Sequence, residues 1–112
     1  MRFVIPLAEG RLTAHFGHCE QFAVVDADPA TGQIVQQESL TPPPHQPGLL
    51  PPWLAERGAE VIIAGGMGVR AQQLFAHQGI QVVVGAPADE PVDLVRSFLA
   101  GSLRSGPNLC DH

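Results

Sequence analysis

Lysine is absent from the chain, and arginine supplies all six of its basic residues. The formal net charge is −5 at pH 7. Because phosphate contacts through basic side chains dominate the affinity of proteins for nucleic acids, we expect no nucleic-acid binding from an acidic chain without a basic stripe. The missing lysine also excludes lysine Schiff-base chemistry and the lysine of phosphate-binding loops. Anions would therefore need arginine, histidine or backbone N–H groups.

Cysteine and long apolar segments are also scarce. The two cysteines, Cys19 and Cys110, do not make the disulfide framework that small secreted domains use. No apolar stretch approaches the roughly 18 residues that cross a bilayer. The apolar run at residues 3–7 is shorter than the core of a signal peptide. We therefore expect a cytoplasmic location with reduced thiols and no membrane association.

Several catalytic motifs are missing as well. The sequence contains no G-x-x-x-x-G-K-[ST], no H-E-x-x-H and no C-x-x-C. A ribonuclease H-type nuclease needs clustered carboxylates to hold two metal ions, and Asp26 and Asp28 alone cannot supply that cluster. The serines lack the context of a nucleophile elbow. These absences favour a binding protein over an enzyme.

The first half of the chain predicts three strands. Apolar runs at residues 3–5 and 22–25 read as buried strands, and we expect Pro6 to limit the first one. Residues 28–32 form a turn with proline and glycine at the positions that need them. The segment 33–40 then closes a hairpin as a less buried edge strand.

The second half alternates helices and strands. The predicted elements are a helix opened by Pro51 and Pro52 and ended by Gly58, a buried strand at 61–64, a helix from about Val69 to Gly79, a strand at 80–84, and a helix from 89–91 to Gly101. Because parallel strands joined by helices have right-handed crossovers, the element order predicts an α/β fold of the ribonuclease H-like type. Its mixed five-stranded sheet has the order 3-2-1-4-5, with a three-strand antiparallel meander followed by two βα units.

Two segments fall outside these elements. The stretch T-P-P-P-H-Q-P-G at residues 41–48 favours exposed polyproline II structure. The residues after the last helix have the composition of a mobile C-terminal tail. We therefore assign residues 1–101 to one α/β domain and residues 102–112 to the tail.

The expected topology places a glycine loop where ligands bind in open α/β sheets. Such sites lie outside the carboxyl ends of parallel strands, near the point where strand order reverses. The loop comprises Gly65, Gly66, Met67 and Gly68, follows a buried strand and opens a helix. Exposed N–H groups and the positive helix end suit an anion there. Alternatively, the glycines only allow a tight turn, and Met67 only covers the helix end.

Imidazole and thiolate groups, which suit soft metals, are expected at the same edge. The candidates are His15, His18 and Cys19 before the second strand, His45 on the proline loop, and Cys110 and His112 in the tail. They could equally be exposed turn residues and the end of a disordered segment.

Two arginines, Arg11 and Arg70, could neutralise a bound anion or could be solvated surface charges. Residues 66–71 also fit the loose dinucleotide pattern G-x-G-x-x-A, with Asp89 about 20 residues further on. A nucleotide- or phosphate-responsive regulatory module that uses the same loop is therefore an alternative. An interaction domain with an incidental pocket is a third possibility.

Five segments resemble the dinitrogenase iron–molybdenum cofactor-binding family. They are R-F-V-I-P at 2–6, A-H-F-G-H at 14–18, F-A-V-V-D at 22–26, G-A-E-V-I-I-A-G-G-M-G at 58–68, and the closing C-x-H. This family includes nitrogenase cofactor carriers and the orange protein, which holds a molybdenum–copper sulfide cluster. The resemblance implies a ribonuclease H-like fold without nuclease activity. It also implies binding of a preformed, anionic, molybdenum-containing sulfide cluster, either Mo-Cu-S or Fe-Mo-S, with a delivery or acceptor protein as partner.

The resemblance also implies where the cluster lies. It would contact His15, the glycine loop and neighbouring loops, largely without covalent anchoring. We expect N–H groups of the loop and Arg70 to offset its charge, and His15 to ligate or hydrogen-bond it, together with His18 or Cys19.

Two flanking features complete the expected site. Phe16 and Met67 would limit the access of water to the cluster. The proline loop differs from the glycine-rich stretch of many relatives, which leaves the role of His45 open.

Overall fold

The computed structural model describes residues 1–8, 11–12, 21–43 and 48–103 of the 112-residue chain. The elements in these ranges are β1 (Arg2–Ala8), β2 (Arg11–Leu12), β3 (Gln21–Ala27), β4 (Ile34–Leu40), α1 (Leu50–Glu56), β5 (Val61–Ile63), α2 (Val69–His77), β6 (Gln81–Val83) and α3 (Pro91–Leu99). None of these helices is long and apolar enough to cross a membrane.

The five main strands form a mixed sheet in the order β4-β3-β1-β5-β6. The pairs β1–β3 and β3–β4 are antiparallel, whereas β1–β5 and β5–β6 are parallel. The predicted α/β class and strand order are therefore confirmed. A sixth strand, the two-residue β2, pairs antiparallel with the end of β1. It was not predicted because two residues are too few to show a period-2 pattern.

The prediction that Pro6 limits the first strand is wrong, since β1 runs on to Ala8. Met1 and Ala27 exchange both backbone hydrogen bonds, and the carbonyl of Arg2 accepts one from Glu60 beside β5. Even-numbered residues of β1 therefore point their backbone groups towards β5. The registered pairing with β5 ends at Val4, so the missing N–H of Pro6 faces a stretch where no ladder bond is lost.

Side chains of β1 alternate between two apolar clusters, one on each face of the sheet. Phe3 and Ile5 join the cluster that α3 covers, and the ring of Phe3 meets Phe98 edge to face with centroids 5.3 Å apart. Val4 joins the cluster that α1 and α2 cover. β1 is thus buried on both faces, which explains its nearly continuous apolar sequence. By contrast, β4 is exposed over most of its length, as predicted for an edge strand.

The predicted helix ends are confirmed. Glycines follow all three described helices with φ near +75°: Gly58 after α1, Gly79 after α2 and Gly101 after α3. Beyond α3, the N–H groups of Ser102 and Leu103 still donate to the carbonyl of Ser97, at 2.9 and 3.1 Å. Residues 104–112, including most of the predicted tail, lie outside the described residues.

Arg2 ties three elements together at the amino end of β1. Its Nε and Nη2 atoms donate to the two carboxylate oxygens of Asp26 on β3, at 2.8 and 3.1 Å. Its Nη1 atom donates to the carbonyl of Arg57 at the end of α1, at 2.5 Å. The hydrogen bond and charge of Arg2 lower the pKa of Asp26, against the opposing effect of burial.

Replacing Asp26 with asparagine should destabilise the fold in a pH-dependent way. Because the folded-state pKa of Asp26 is below its unfolded value, the carboxylate contributes stability above the unfolded value of about 3.9. That contribution is lost as the pH falls through the folded-state pKa. The pair is partly exposed, so we expect Asp26→Asn to lower the free energy of unfolding by about 0.5–1 kcal/mol at pH 7.

Urea denaturation at pH 7 and again below pH 3 measures this difference. The control is Asp89→Asn, which changes an exposed aspartate that has no ion pair within the described ranges. A loss from Asp26→Asn that stays the same below pH 3, or an equal loss from the control, would contradict the assignment.

Candidate functional site

The candidate site lies at the sheet edge where parallel strands end. β1, β5 and β6 run in one direction, and β4 shares it because two antiparallel steps separate it from β1. The glycine loop at 65–68 therefore leaves the same edge as the segment after β6 and the proline segment after β4. This is the edge at which the sequence predicts the site.

The structure describes part of the predicted site. Its described members are Gly65, Gly66, Met67, Gly68 and Arg70, and the backbone of Arg11. The other predicted residues, His15, Phe16, His18, Cys19, His45, Cys110 and His112, lie outside the described residues, as does the side chain of Arg11. The N–H of Leu12 donates to the carbonyl of Asp89 at 3.4 Å. β2 is thereby placed beside the segment that follows β6.

The glycine loop is fixed from the side of β6. Pairing between β5 and β6 continues past both strands, because Ala64 donates to the carbonyl of Val83 at 2.8 Å. Gly85 in turn donates to the carbonyl of Gly65 at 3.0 Å, and Ala86 to that of Ala64 at 3.2 Å. The first part of the loop is consequently held as an extension of the sheet.

The buried side chain of Met67 fixes the glycine loop to the hydrophobic core. Its side chain is fully buried and belongs to the cluster that contains Val4, Phe22 and Phe75. Its carbonyl accepts a hydrogen bond from the side-chain amide of Gln72, one turn into α2, at 2.9 Å. Sequence analysis missed Gln72, although its position one turn after the glycine loop is a usable signal. Met67 is therefore suited to shaping the loop, whose backbone would face a ligand.

Several N–H groups are available where the loop enters α2. The first α-helical bond runs from Gln72 to the carbonyl of Gly68, at 3.1 Å, so the N–H groups of residues 69–71 have no acceptor inside the helix. No side chain caps this end. Among the described residues, the N–H groups of Gly66, which is buried, and of Gly68, which is half-buried, also find no backbone acceptor. Together with Arg70, an exposed residue of the first turn, they make this a region of positive potential.

The glycines are not required for an unusual backbone. Gly68 has φ −64° and ψ 153°, which any residue adopts, and Gly65 and Gly66 are not among the glycines with positive φ. A Cβ atom added at Gly68 would meet nothing within 4 Å. A tight turn that needs glycine for its conformation therefore does not explain Gly68. The open space lies beside N–H groups that have no backbone acceptor among the described residues, and it leaves room for an anion.

A metal ion would need ligands in addition to the backbone N–H groups of the glycine loop. Within the described ranges, no three histidine, cysteine or acidic side chains lie close enough to hold a metal ion. The described part of the site is thus a set of backbone donors with one arginine. The predicted imidazole and thiolate ligands belong to the segments outside it.

Comparison with known proteins identifies the family. A family model described as dinitrogenase iron-molybdenum cofactor matches residues 1–101. The chain belongs to this family. The resemblance read from the five sequence segments is therefore confirmed.

Individual relatives agree in length and fold. The uncharacterised protein MJ0580 of Methanocaldococcus jannaschii is 30% identical over 108 residues, which cover 92% of this chain and 89% of that protein. The crystal structure of PH0822 is 28% identical and covers 97% of both chains, with a TM-score of 0.87. The apo form of the orange protein from Desulfovibrio gigas is 26% identical, with a TM-score of 0.72 over 96% of this chain and 93% of that one.

Removing the amide of Gln72 should loosen the glycine loop. Gln72→Met keeps length and helix propensity but removes the amide that donates to the carbonyl of Met67. We expect the free energy of unfolding to fall by about 1 kcal/mol and the amide protons of residues 66–68 to exchange faster. Gln73→Met, at the exposed neighbouring position, is the matched control. Identical exchange in both variants would show that Gln72 does not hold the loop.

Proposed function

We propose that this protein binds an anionic, molybdenum-containing metal–sulfur cluster and carries or stores it without catalysing a reaction. The cluster is of the Mo-Cu sulfide or iron–molybdenum cofactor type. The observation that carries the proposal is the set of N–H groups of Gly66, Gly68 and the first turn of α2 that have no backbone acceptor among the described residues, in a member of the dinitrogenase iron-molybdenum cofactor family. Similarity to the orange protein supports the same class of ligand.

Backbone donors are the appropriate means for this chain to hold an anion. The net charge of −5 repels an anionic cluster at long range, and no lysine is available to reverse it. N–H groups at a helix start provide fixed positive ends without adding a mobile side chain. Arg70 on the first turn of α2 adds a full charge at the same place.

A preformed cluster suits the small number of thiols. Only two cysteines are present, too few to anchor a cluster through cysteine alone. In the proposal, cluster sulfur atoms accept hydrogen bonds from the loop, and His15 ligates or hydrogen-bonds the cluster, assisted by His18 or Cys19. Phe16 limits water access. Arg11, His45, Cys110 and His112 are further candidates for contact.

The biological setting follows from the carrier role. A carrier must receive its cargo and release it, so a delivery or acceptor protein is the proposed partner. Two cysteines do not make a disulfide framework, which fits a reducing compartment, and we propose a cytoplasmic location.

Anaerobic reconstitution with tetrathiomolybdate and copper tests the proposal directly. We expect molybdenum and copper to co-elute with the protein on gel filtration and to give structured visible absorption bands. If the protein peak is colourless and free of metal, the same experiment is repeated with the larger iron–molybdenum cofactor. Absence of binding to both clusters would refute the proposal. Thermal stabilisation by ADP or NAD in place of either cluster would favour the nucleotide-responsive alternative.

Two substitutions at one position isolate the backbone donor. Gly68→Ala keeps the N–H, whereas Gly68→Pro removes it at a φ that proline adopts. We expect both to fold with near-native stability, since the Cβ position is open. The proline variant should retain at least several-fold less molybdenum than the alanine variant. Equal retention would show that this N–H does not contact the cluster.

Side-chain contributions can be tested separately. Arg70→Gln should weaken cluster retention, and the gap to wild type should narrow at high salt as charges are screened. Arg96→Gln, at an exposed site on α3, is the matched control and should retain the cluster normally. His15→Ala should also weaken retention, and unchanged metal content would count against a role for His15.

A further inference from the structure

A cavity lies on the sheet face that α1 covers. Its volume is about 170 Å³. Four apolar side chains line it, namely Val4, Val24, Leu40 and Leu54, and none of them belongs to the glycine-loop site. Three charged side chains, Arg2, Glu38 and Arg57, complete the lining.

The apolar part of the cavity borders the hydrophobic core. Val4 and Val24 face each other across β1 and β3, and Val4 and Leu54 are almost fully buried in the cluster beneath α1. By comparison, an apolar cavity of about 150 Å³ lined by leucine, isoleucine and phenylalanine side chains holds benzene. The space therefore fits one branched alkyl group or small ring, and it is well below the roughly 300 Å³ at which sites for larger ligands begin.

The charged side chains that line the cavity also contact neighbouring residues, and those of Glu38 and Arg57 are exposed. The guanidinium of Arg57 stacks 3.8 Å from the ring centroid of Trp53, and its Nη1 donates to the carbonyl of Trp53 at 2.9 Å. The carboxylate of Glu38 accepts a hydrogen bond from the amide of Gln36. Arg2 is committed to Asp26 and to the carbonyl of Arg57. It thereby fixes the end of α1 as one wall of the cavity.

Arg57 and Glu38 line the same small cavity without touching. Within the described ranges, the only ion pair is between Arg2 and Asp26. A simple carboxylate ligand would gain from Arg57 but be repelled by Glu38, and a simple amine would meet the reverse. A ligand that carries both charges next to an alkyl group complements Arg57, Glu38 and the aliphatic lining together.

We propose that this cavity binds a free α-amino acid with a branched aliphatic side chain. The ligand's carboxylate pairs with Arg57, its ammonium group pairs with Glu38, and its side chain packs on the four aliphatic residues. This site is separate from the proposed cluster site and does not depend on it. It gives the protein a second ligand of a different chemical class.

The single tryptophan of the chain reports on this site. Trp53 contacts Arg57 and no other tryptophan or tyrosine is present, so the emission comes from this one side chain beside the cavity. Titration of the cluster-free full chain with L-leucine, L-isoleucine and L-valine should give a saturable change in emission and raise the thermal midpoint. Absence of saturable binding for all three would overturn the proposal.

Analogues and variants test the assignment of each charge. 4-Methylpentanoate, which lacks the ammonium group, and 3-methylbutylamine, which lacks the carboxylate, should each bind at least tenfold more weakly than L-leucine. Arg57→Gln should weaken leucine binding at least tenfold, measured by equilibrium dialysis with labelled leucine so that Trp53 is not the probe. Glu38→Gln should remove the preference for leucine over 4-methylpentanoate.

The controls separate this proposal from the cluster proposal. Arg96→Gln and Glu56→Gln change exposed charges outside the cavity and should leave leucine binding unchanged. Gly68→Pro, which should lose the cluster, should still bind leucine like the wild type. Normal binding in Arg57→Gln, or equal binding of leucine and 4-methylpentanoate by the wild type, would refute the zwitterion site.

Discussion

The burial of β1 on both faces is the constraint on which the rest of the molecule depends. Phe3, Val4 and Ile5 are almost fully inaccessible to solvent, and alternate side chains of the strand enter opposite clusters. β1 is also the strand at which an antiparallel meander meets a parallel pair. A polar substitution at one of these positions would disrupt the cluster on its own face and weaken the strand that joins the two halves of the sheet. The carboxyl end of β1 defines the edge with the glycine loop, and its amino end carries Arg2.

Electrostatics explains why the candidate site is built from backbone. A chain with net charge −5 and no lysine has few side chains with which to attract an anion. The start of α2 has glycine at its N-cap and no side-chain cap, although a serine, threonine or aspartate there would stabilise the helix by roughly a few tenths of a kcal/mol. Such a cap would occupy the same N–H groups that an anion needs. The uncapped helix start is therefore consistent with a site that exchanges some helix stability for ligand binding.

The sequence predicts the strand order and the helix ends because those features depend on local signals. Apolar runs locate β3 and β5, and Gly58, Gly79 and Gly101 end their helices through the φ that each adopts. The error at Pro6 has a different origin. Whether proline ends a strand depends on which neighbour its nitrogen faces, and that is set by the register with β3 and β5, which lie far away in sequence. The same limit applies to Met67, whose burial follows from the packing of α1 and α2 over the sheet.

The sequence predicts where the candidate site lies better than it predicts which contacts the site makes. Topology alone places the glycine loop at the reversal of strand order, because that placement needs only the element order. Whether the glycines are needed for the conformation of the loop could be decided only from its backbone dihedral angles. Had Gly68 shown a positive φ, the turn alone would have explained it and the loop would say little about a ligand. Its ordinary φ of −64° removes that explanation. What distinguishes glycine at this position is the missing side chain, and the open space it leaves lies next to an N–H group without an acceptor among the described residues.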